Sequence, residues 1–195
     1  MNLTFYQVGK TVCKMAIKPI YRFEVIGSEN FPKEGGVLLC TNHIHALDPV
    51  VVGINAPRPV HYMAKEEIFS TPILGKILPK VYAFPVKRGL SDREALRKGL
   101  SVLKEGHVLG LFPEGTRSKT GELGKGLAGA GFFALRSKAK ILPCAIIGPY
   151  KTFGRLKIVF GKPLDVTEAR GNKISADEMT EMIMDEISKL INSHK

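Results

Sequence analysis

The chain has 195 residues, enough for one domain with a real core, since chains of this size bury roughly 70% of their unfolded surface. Its formal charge is +11 with 44% hydrophobic residues: a basic globular protein whose partner is anionic, unless the charge is only a solvated face. Three widely spaced cysteines (Cys13, Cys40, Cys144) without a C-x-x-C argue for a reducing compartment and against structural zinc, and no apolar run approaches the ~18 residues of a membrane-spanning helix.

Residues 3 to 20, "LTFYQVGKTVCKMAIKPI", have helical rhythm. At 100° per residue, Thr4, Gln7, Lys10, Thr11, Lys14 and Lys18 share one arc, and Phe5, Val8, Val12, Cys13, Met15, Ala16 and Ile20 take the other side. The lysines interrupt the apolar stretch, so it does not read as a signal peptide. A basic face opposite an apolar face suits a helix lying in a membrane interface; a helix packed on its own domain has the same pattern.

Short apolar segments follow between turn signals. "YRFEVIG" (21–27), "GGVLLCTN" (35–42), "PVHYMAK" (59–65), "VYAFPV" (81–86), "HVLGLFPEG", "KILPCAIIG" and "LKIVFGK" read as strands. Helices are expected at "DPVVVGINA", with Asp48 as N-cap, at "EEIFSTPILGKILPK", broken at Pro72, and at "GLAGAGFFALRSKA". Residues 91–106 are the clearest helix, with Ser91 capping and Glu94 completing a capping box, and residues 175–194 close the chain as an amphipathic helix. Alternating strands and helices predict an α/β fold: a single layered domain (21–195) with a largely parallel mixed sheet flanked by helices, plus an N-terminal amphipathic helix (1–20).

Candidate chemistry lies at strand ends. His43 and Asp48, five apart across a strand-to-helix turn, suit an imidazole oriented by a carboxylate, as a general base requires; a plain strand end and helix cap would also explain them. A metal reading of His43 and His45 fails, because Leu47 and Pro49 break the ligand spacing and the other histidines form no second cluster. No G-x-S-x-G accompanies the pair, so a base there would activate a hydroxyl brought by the substrate. Other strand ends carry Lys65, Lys87-Arg88 and "FPEGTRS" (112–118), where Gly115 permits close backbone approach and Arg117 offers a fork of donors for phosphate. Ligands of open parallel sheets bind beyond the strand C-termini, so His43, Lys65, Arg88 and Arg117 describe a site for an anionic, hydroxyl-bearing substrate. The G-x-G-x-x-G match at Gly124, Gly126 and Gly129 follows a polar stretch rather than a strand and is set aside. With 8% aromatics, no Trp and no nucleic-acid-binding motif, no nucleic-acid partner is expected.

These residues resemble the glycerolipid acyltransferases. "NHIHALD" is similar to their N-H-x4-D signature, "FPEGTRS" contains their E-G-T-R-S block, "FPVKRG" sits at their second block and "ILPCAIIG" at their fourth, over roughly residues 21 to 165. The resemblance implies that His43 is the general base for the sn-2 hydroxyl of lysophosphatidic acid and that Asp48 orients it. The hydroxyl would attack the thioester of acyl-CoA or acyl-carrier protein with no covalent enzyme intermediate. Arg117, Lys65 and Arg88 would hold the acceptor phosphate, and Glu114, Gly115 and Thr116 the rest of the acceptor site. It implies no metal or bound cofactor, and peripheral attachment to an anionic membrane at its cytoplasmic face. The alternatives are another lyso-lipid acceptor, or a non-catalytic protein that binds anionic membranes. The chain departs from the family's usual pattern at His45, where Ser is usual, and at Ala83-Phe84, where the second block often begins with Gly. Only one amphipathic helix fits where some relatives carry a two-helix anchor.

Overall fold

Val37 to Thr41 are buried without exception, as expected for a central strand covered on both faces. In the computed structural model, which describes residues 3–87 and 92–195, this strand is β2. The chain runs α1 (Leu3–Ile17), β1 (Arg22–Ile26), β2 (Val37–Thr41), α2 (Asp48–Asn55), β3 (Val60–Lys65), and two short helices, α3 (Glu66–Phe69) and α4 (Leu74–Ile77). It continues through β4 (Ala83–Val86), α5 (Arg93–Lys104), β5 (Val108–Leu111), α6 (Gly129–Arg136), β6 (Lys140–Ile147), β7 (Arg155–Phe160), α7 (Thr167–Gly171) and α8 (Ala176–His194).

The strands form one sheet in the order β1-β7-β6-β2-β5-β3-β4. Strands β6, β2, β5, β3 and β4 are parallel, while β7 joins β6 antiparallel and pairs in parallel with β1. Five strands therefore deliver their C-terminal ends to one edge. The expected α/β architecture, a largely parallel mixed sheet between helices, is the one observed.

Alternation along β2 splits the core in two. Leu38 and Cys40, with Leu109 and Ile141, pack beneath α5, α6 and α8 through Val102, Phe133, Met179 and Ile183. Val37 and Leu39, with Val108 and Leu142, face α2 through Val51 and Val52. Each such fully buried aliphatic or aromatic side chain contributes about 1.5–3 kcal/mol.

Two local expectations are corrected. Helix α5 is capped by Asp92, whose Oδ1 accepts the N–H groups of Glu94 (3.1 Å) and Ala95 (3.0 Å); its Oδ2 accepts that of Lys87 (3.0 Å). A carboxylate satisfying three donors at the helix start displaces the capping box expected from Ser91 and Glu94, and Ser91 itself lies outside the described residues. A capping box does form at Ser175 and Glu178, where α8 begins.

Helix α1 packs against α2 and the turn at Leu78–Val81. It docks through the seam between its two arcs. Tyr6 is buried, its hydroxyl accepting the Val60 N–H at 3.2 Å, and Gly9, Lys10, Cys13 and Ile17 are half-buried beside it. Lys10 thus leaves the exposed polar arc: its Nζ donates to the Ala56 carbonyl at 2.6 Å, and burial, then Lys14, lowers its pKa. Lys14 and Lys18 stay exposed, as do Leu3, Val8, Val12 and Met15 on the apolar side. No helix among the described residues is long and apolar enough to cross a membrane.

Candidate active site

Strand β2 ends at Thr41, and the next residues turn sharply before α2. Asn42 anchors the turn to β6: its amide donates to the Ile146 carbonyl (2.9 Å) and accepts the Ile146 N–H (2.7 Å). His43 follows. Its Nδ1 lies 2.7 Å from Asp48 Oδ2, with the His43 side chain 16% exposed and that of Asp48 fully buried. Asp48 was expected to cap α2, but it occupies the helix's first turn and its side chain makes no cap bond there. The carboxylate turns back instead. Oδ2 also accepts the N–H groups of Ile44 and His45, each at 2.7 Å, and Oδ1 accepts the Tyr150 hydroxyl at 2.5 Å. A buried carboxylate without such donors would be strongly destabilising. Because the carboxylate can only accept, Nδ1 carries the proton and donates it to Asp48, which leaves the lone pair on Nε2.

His43 is gripped from the β5 end as well. Its ring stacks on Phe112, centroids 4.1 Å apart. Its N–H donates to Glu114 Oε1 and its carbonyl accepts from Ser118 N–H, both at 2.8 Å. Glu114 is buried, and its Oε2 accepts Gly124 N–H at 2.8 Å, so this one carboxylate ties the His43 turn to the loop after β5. Gly115 turns that loop with φ +65°, where a Cβ would meet the Leu127 side chain at 2.5 Å.

The sequence-expected residues fall as follows. His43 and Asp48 are in direct contact. Lys65 ends β3 and is half-buried; Gly115, Thr116 and Arg117 are exposed beyond β5 on the same sheet edge. The Arg117 guanidinium has no ion-pair partner among the described residues, whereas Lys87 sits 3.8 Å from Glu66. Arg88 lies outside the described residues. Beside Phe112, an apolar cavity of about 250 Å³ is lined by Met63, Leu96, Leu111, Leu127 and Phe133. Among the described residues no cluster of three or more His, Cys, Asp or Glu is placed to hold a metal ion.

Three contributors escaped the sequence reading: the Phe112 stack, the bracing role of Glu114, and Tyr150. Tyr150 lies beyond the C-terminal end of β6, the parallel neighbour of β2, so the strand-end rule applied to "ILPCAIIG" would have reached its loop. Burial, then Asp48, raises its pKa, so it stays a neutral donor.

The Acyltransferase family matches residues 22–147. The chain belongs to that family. It is 32% identical to the 1-acyl-sn-glycerol-3-phosphate acyltransferase of Bacillus subtilis, over 92% of this chain and 96% of that one. It is 28% identical to the protein of the same name from Borreliella burgdorferi, over 88% and 72% of the two chains. The crystal structure of the 1-acyl-sn-glycerophosphate (LPA) acyltransferase PlsC from Thermotoga maritima shares the fold, with TM-score 0.80 at 22% identity, covering 96% of this chain and 78% of that one. The matched segment of the acyltransferase contains His43, Asp48 and the whole loop braced by Glu114, and stops just short of Tyr150.

Proposed function

We propose that this enzyme transfers a fatty acyl group from acyl-CoA or acyl-carrier protein to the sn-2 hydroxyl of 1-acyl-glycerol-3-phosphate, giving phosphatidic acid. The observation that carries the reading is the 2.7 Å contact between His43 and a fully buried Asp48 in a chain whose relatives bear that activity's name. His43 Nε2 takes the proton of the acceptor hydroxyl as its oxygen attacks the thioester carbonyl carbon. The tetrahedral intermediate collapses, the C–S bond breaks, and the thiol leaves with the proton that His43 held. Asp48 keeps the imidazole in the tautomer with Nε2 free and stabilises its charge after proton uptake.

Arg117, with Lys65 and Arg88, binds the acceptor phosphate, and Gly115 and Thr116 line its approach. Glu114 shapes that pocket indirectly, by fixing the loop. The apolar cavity beside Phe112 suits a hydrocarbon chain.

Attachment to an anionic membrane is peripheral, at its cytoplasmic face. Residues 1–20 act as the surface element and residues 21–195 as the catalytic domain. The support is the exposed apolar side of α1, with Lys14 and Lys18 on the same helix, and the separately exposed Ile73, Leu74 and Ile77 around α4.

The test is direct. Purified protein is given lysophosphatidic acid, other lyso-phospholipids or plain monoacylglycerol, each with acyl-CoA and with acyl-carrier protein. Phosphatidic acid is expected from the first acceptor. Equal use of monoacylglycerol would remove phosphate recognition, and transfer to none of them would remove the activity.

A further inference from the structure

We infer that Tyr150 is a positioning residue of the general base: its hydroxyl holds the second oxygen of Asp48 and so sets how that carboxylate orients and polarises His43. The inference rests on the acyl-transfer reading for its rate measurements only.

The Asp48 carboxylate is fully buried, so each lone pair must find a donor inside the protein. Oδ2 receives three, His43 Nδ1 and the N–H groups of Ile44 and His45. Oδ1 is served by Tyr150 Oη at 2.5 Å. Without that donor, half of a buried carboxylate would lack a partner. The three donors on Oδ2 all come from the turn at residues 43–45, which moves with His43. Tyr150 reaches it from the loop after β6, 102 residues away in sequence, and so holds the other oxygen from outside that turn.

Tyr150 is itself held from three sides. Its ring stacks on His45, centroids 4.2 Å apart at 21°. Tyr21 meets it edge-on at 5.5 Å. Its loop is stitched to the link after α1 by Phe153 N–H donating to Ile20 O (2.7 Å), and to the start of β1 by Arg22 N–H donating to Gly154 O (3.0 Å). This assigns His45 as well: its Nδ1 accepts the Leu47 N–H at 3.2 Å and its ring face supports Tyr150, so the second imidazole braces the first from behind. A hydroxyl on a ring packed in this way loses little entropy in keeping its bond.

The chemical consequence has a sign. A donor on Oδ1 draws charge from the carboxylate. Removing it makes Oδ2 a stronger acceptor for the His43 Nδ1 proton, which favours the imidazolium over the free base. It also frees the carboxylate to rotate.

Tyr150→Phe tests this, because it keeps the ring and both aromatic contacts. One arm needs no substrate: the Nδ1-bound proton of His43, read by NMR in the resting protein, moves downfield in the variant. In the acyl-transfer assay kcat falls about tenfold, the scale of one hydrogen bond to a charged group, with the acceptor KM unchanged. The acid limb of the kcat/KM profile moves to higher pH. In an Asp48→Asn background, adding Tyr150→Phe changes the rate by less than about twofold, because Asp48 transmits the effect. An unmoved proton resonance overturns the inference, whatever the substrate proves to be. So does a full tenfold loss in the Asp48→Asn background, which would mean that Tyr150 acts elsewhere. Inactivity of the parent protein, with the resonance shifted as expected, would overturn the acyl-transfer reading and leave the role of Tyr150 standing.

Discussion

Two histidines stand at opposite edges of one sheet, each stacked on aromatic rings, and their surroundings give them opposite chemistry. His43, past the C-terminal end of β2, has a buried carboxylate on Nδ1 and a partly exposed ring. His61, at the N-terminal end of β3, lies between the rings of Tyr82 (4.8 Å) and His107 (5.2 Å), with Nδ1 3.2 Å from the Val108 carbonyl. Its Nε2 is buried and has no partner among the described residues. Burial, then His107, pushes its pKa down to about 4. A histidine enclosed with no carboxylate bonded to its ring nitrogens is kept neutral. With one on Nδ1, the same ring is held in a fixed orientation, as the proposed general base requires. The column at His61 continues through Tyr82 to Tyr6, centroids 5.0 Å apart, and so supports the docking of α1.

The sharpest way to break this contrast is to delete each ring in turn. His43→Ala is expected to lower acyl transfer by a factor on the order of 10²–10⁴ with the fold retained, since among the described residues it removes the only imidazole joined to Asp48. His45→Ala should lose far less, through slackened support of Tyr150. Steady-state rates together with circular dichroism check both, and equal losses in the two variants would sink the division of labour.

How much of this was legible follows from which contacts are local. His43 and Asp48 are five residues apart, and the strand-end positions of Lys65 and Arg117 follow from period-two apolar runs. The sheet class follows from strand–helix alternation. The direction in which Asp48 points did not: a cap and a backward reach look alike until the Asn42–Ile146 bonds fix the turn against β6. Tyr150 and the brace by Glu114 depend on which strands become neighbours, which no local periodicity encodes. Lys10 was misplaced because a helical projection separates polar from apolar arcs, yet the docking stripe ran along their border.

A second test separates proton transfer from substrate holding at the same edge. Arg117→Ala should raise the lysophosphatidic acid KM roughly 10- to 100-fold, as expected for loss of a charge-assisted bond, and leave kcat nearly intact. Arg117→Lys should recover only part, because an ammonium lacks the planar fork. A kcat defect with normal KM would move Arg117 from the phosphate to the reacting atoms.

At the other edge, α1 can be altered without touching Tyr6 or Lys10. Val8→Glu with Val12→Glu places two charges on exposed apolar positions. Sedimentation with anionic vesicles should fall several-fold, while activity on dispersed short-chain substrate persists. Parent protein should be partly released by salt, since attraction to the leaflet is screened and insertion is not. Undiminished binding by the double variant would put the membrane contact on another face.

The smallest expected effect concerns His61 itself. The folded protein keeps this ring neutral down to about pH 4, whereas in the unfolded chain it protonates near its ordinary value of 6.5. Between those two values the unfolded state binds more protons, so unfolding free energy falls as the solution is acidified through this window. The span caps the contribution at about 3 kcal/mol. The groups acting on the ring are His107 and Tyr82 in the stack, Lys98 and Glu105 from the α5 side, and the Val108 carbonyl. His61→Phe keeps a ring in the column and removes the proton. Denaturant midpoints at pH 5 and pH 7.5 should differ less in this variant than in the parent, with acyl transfer at pH 7.5 preserved. Parallel midpoints across both pH values would show that His61 is not kept neutral by the fold, and the contrast with His43 would fail at its structural end.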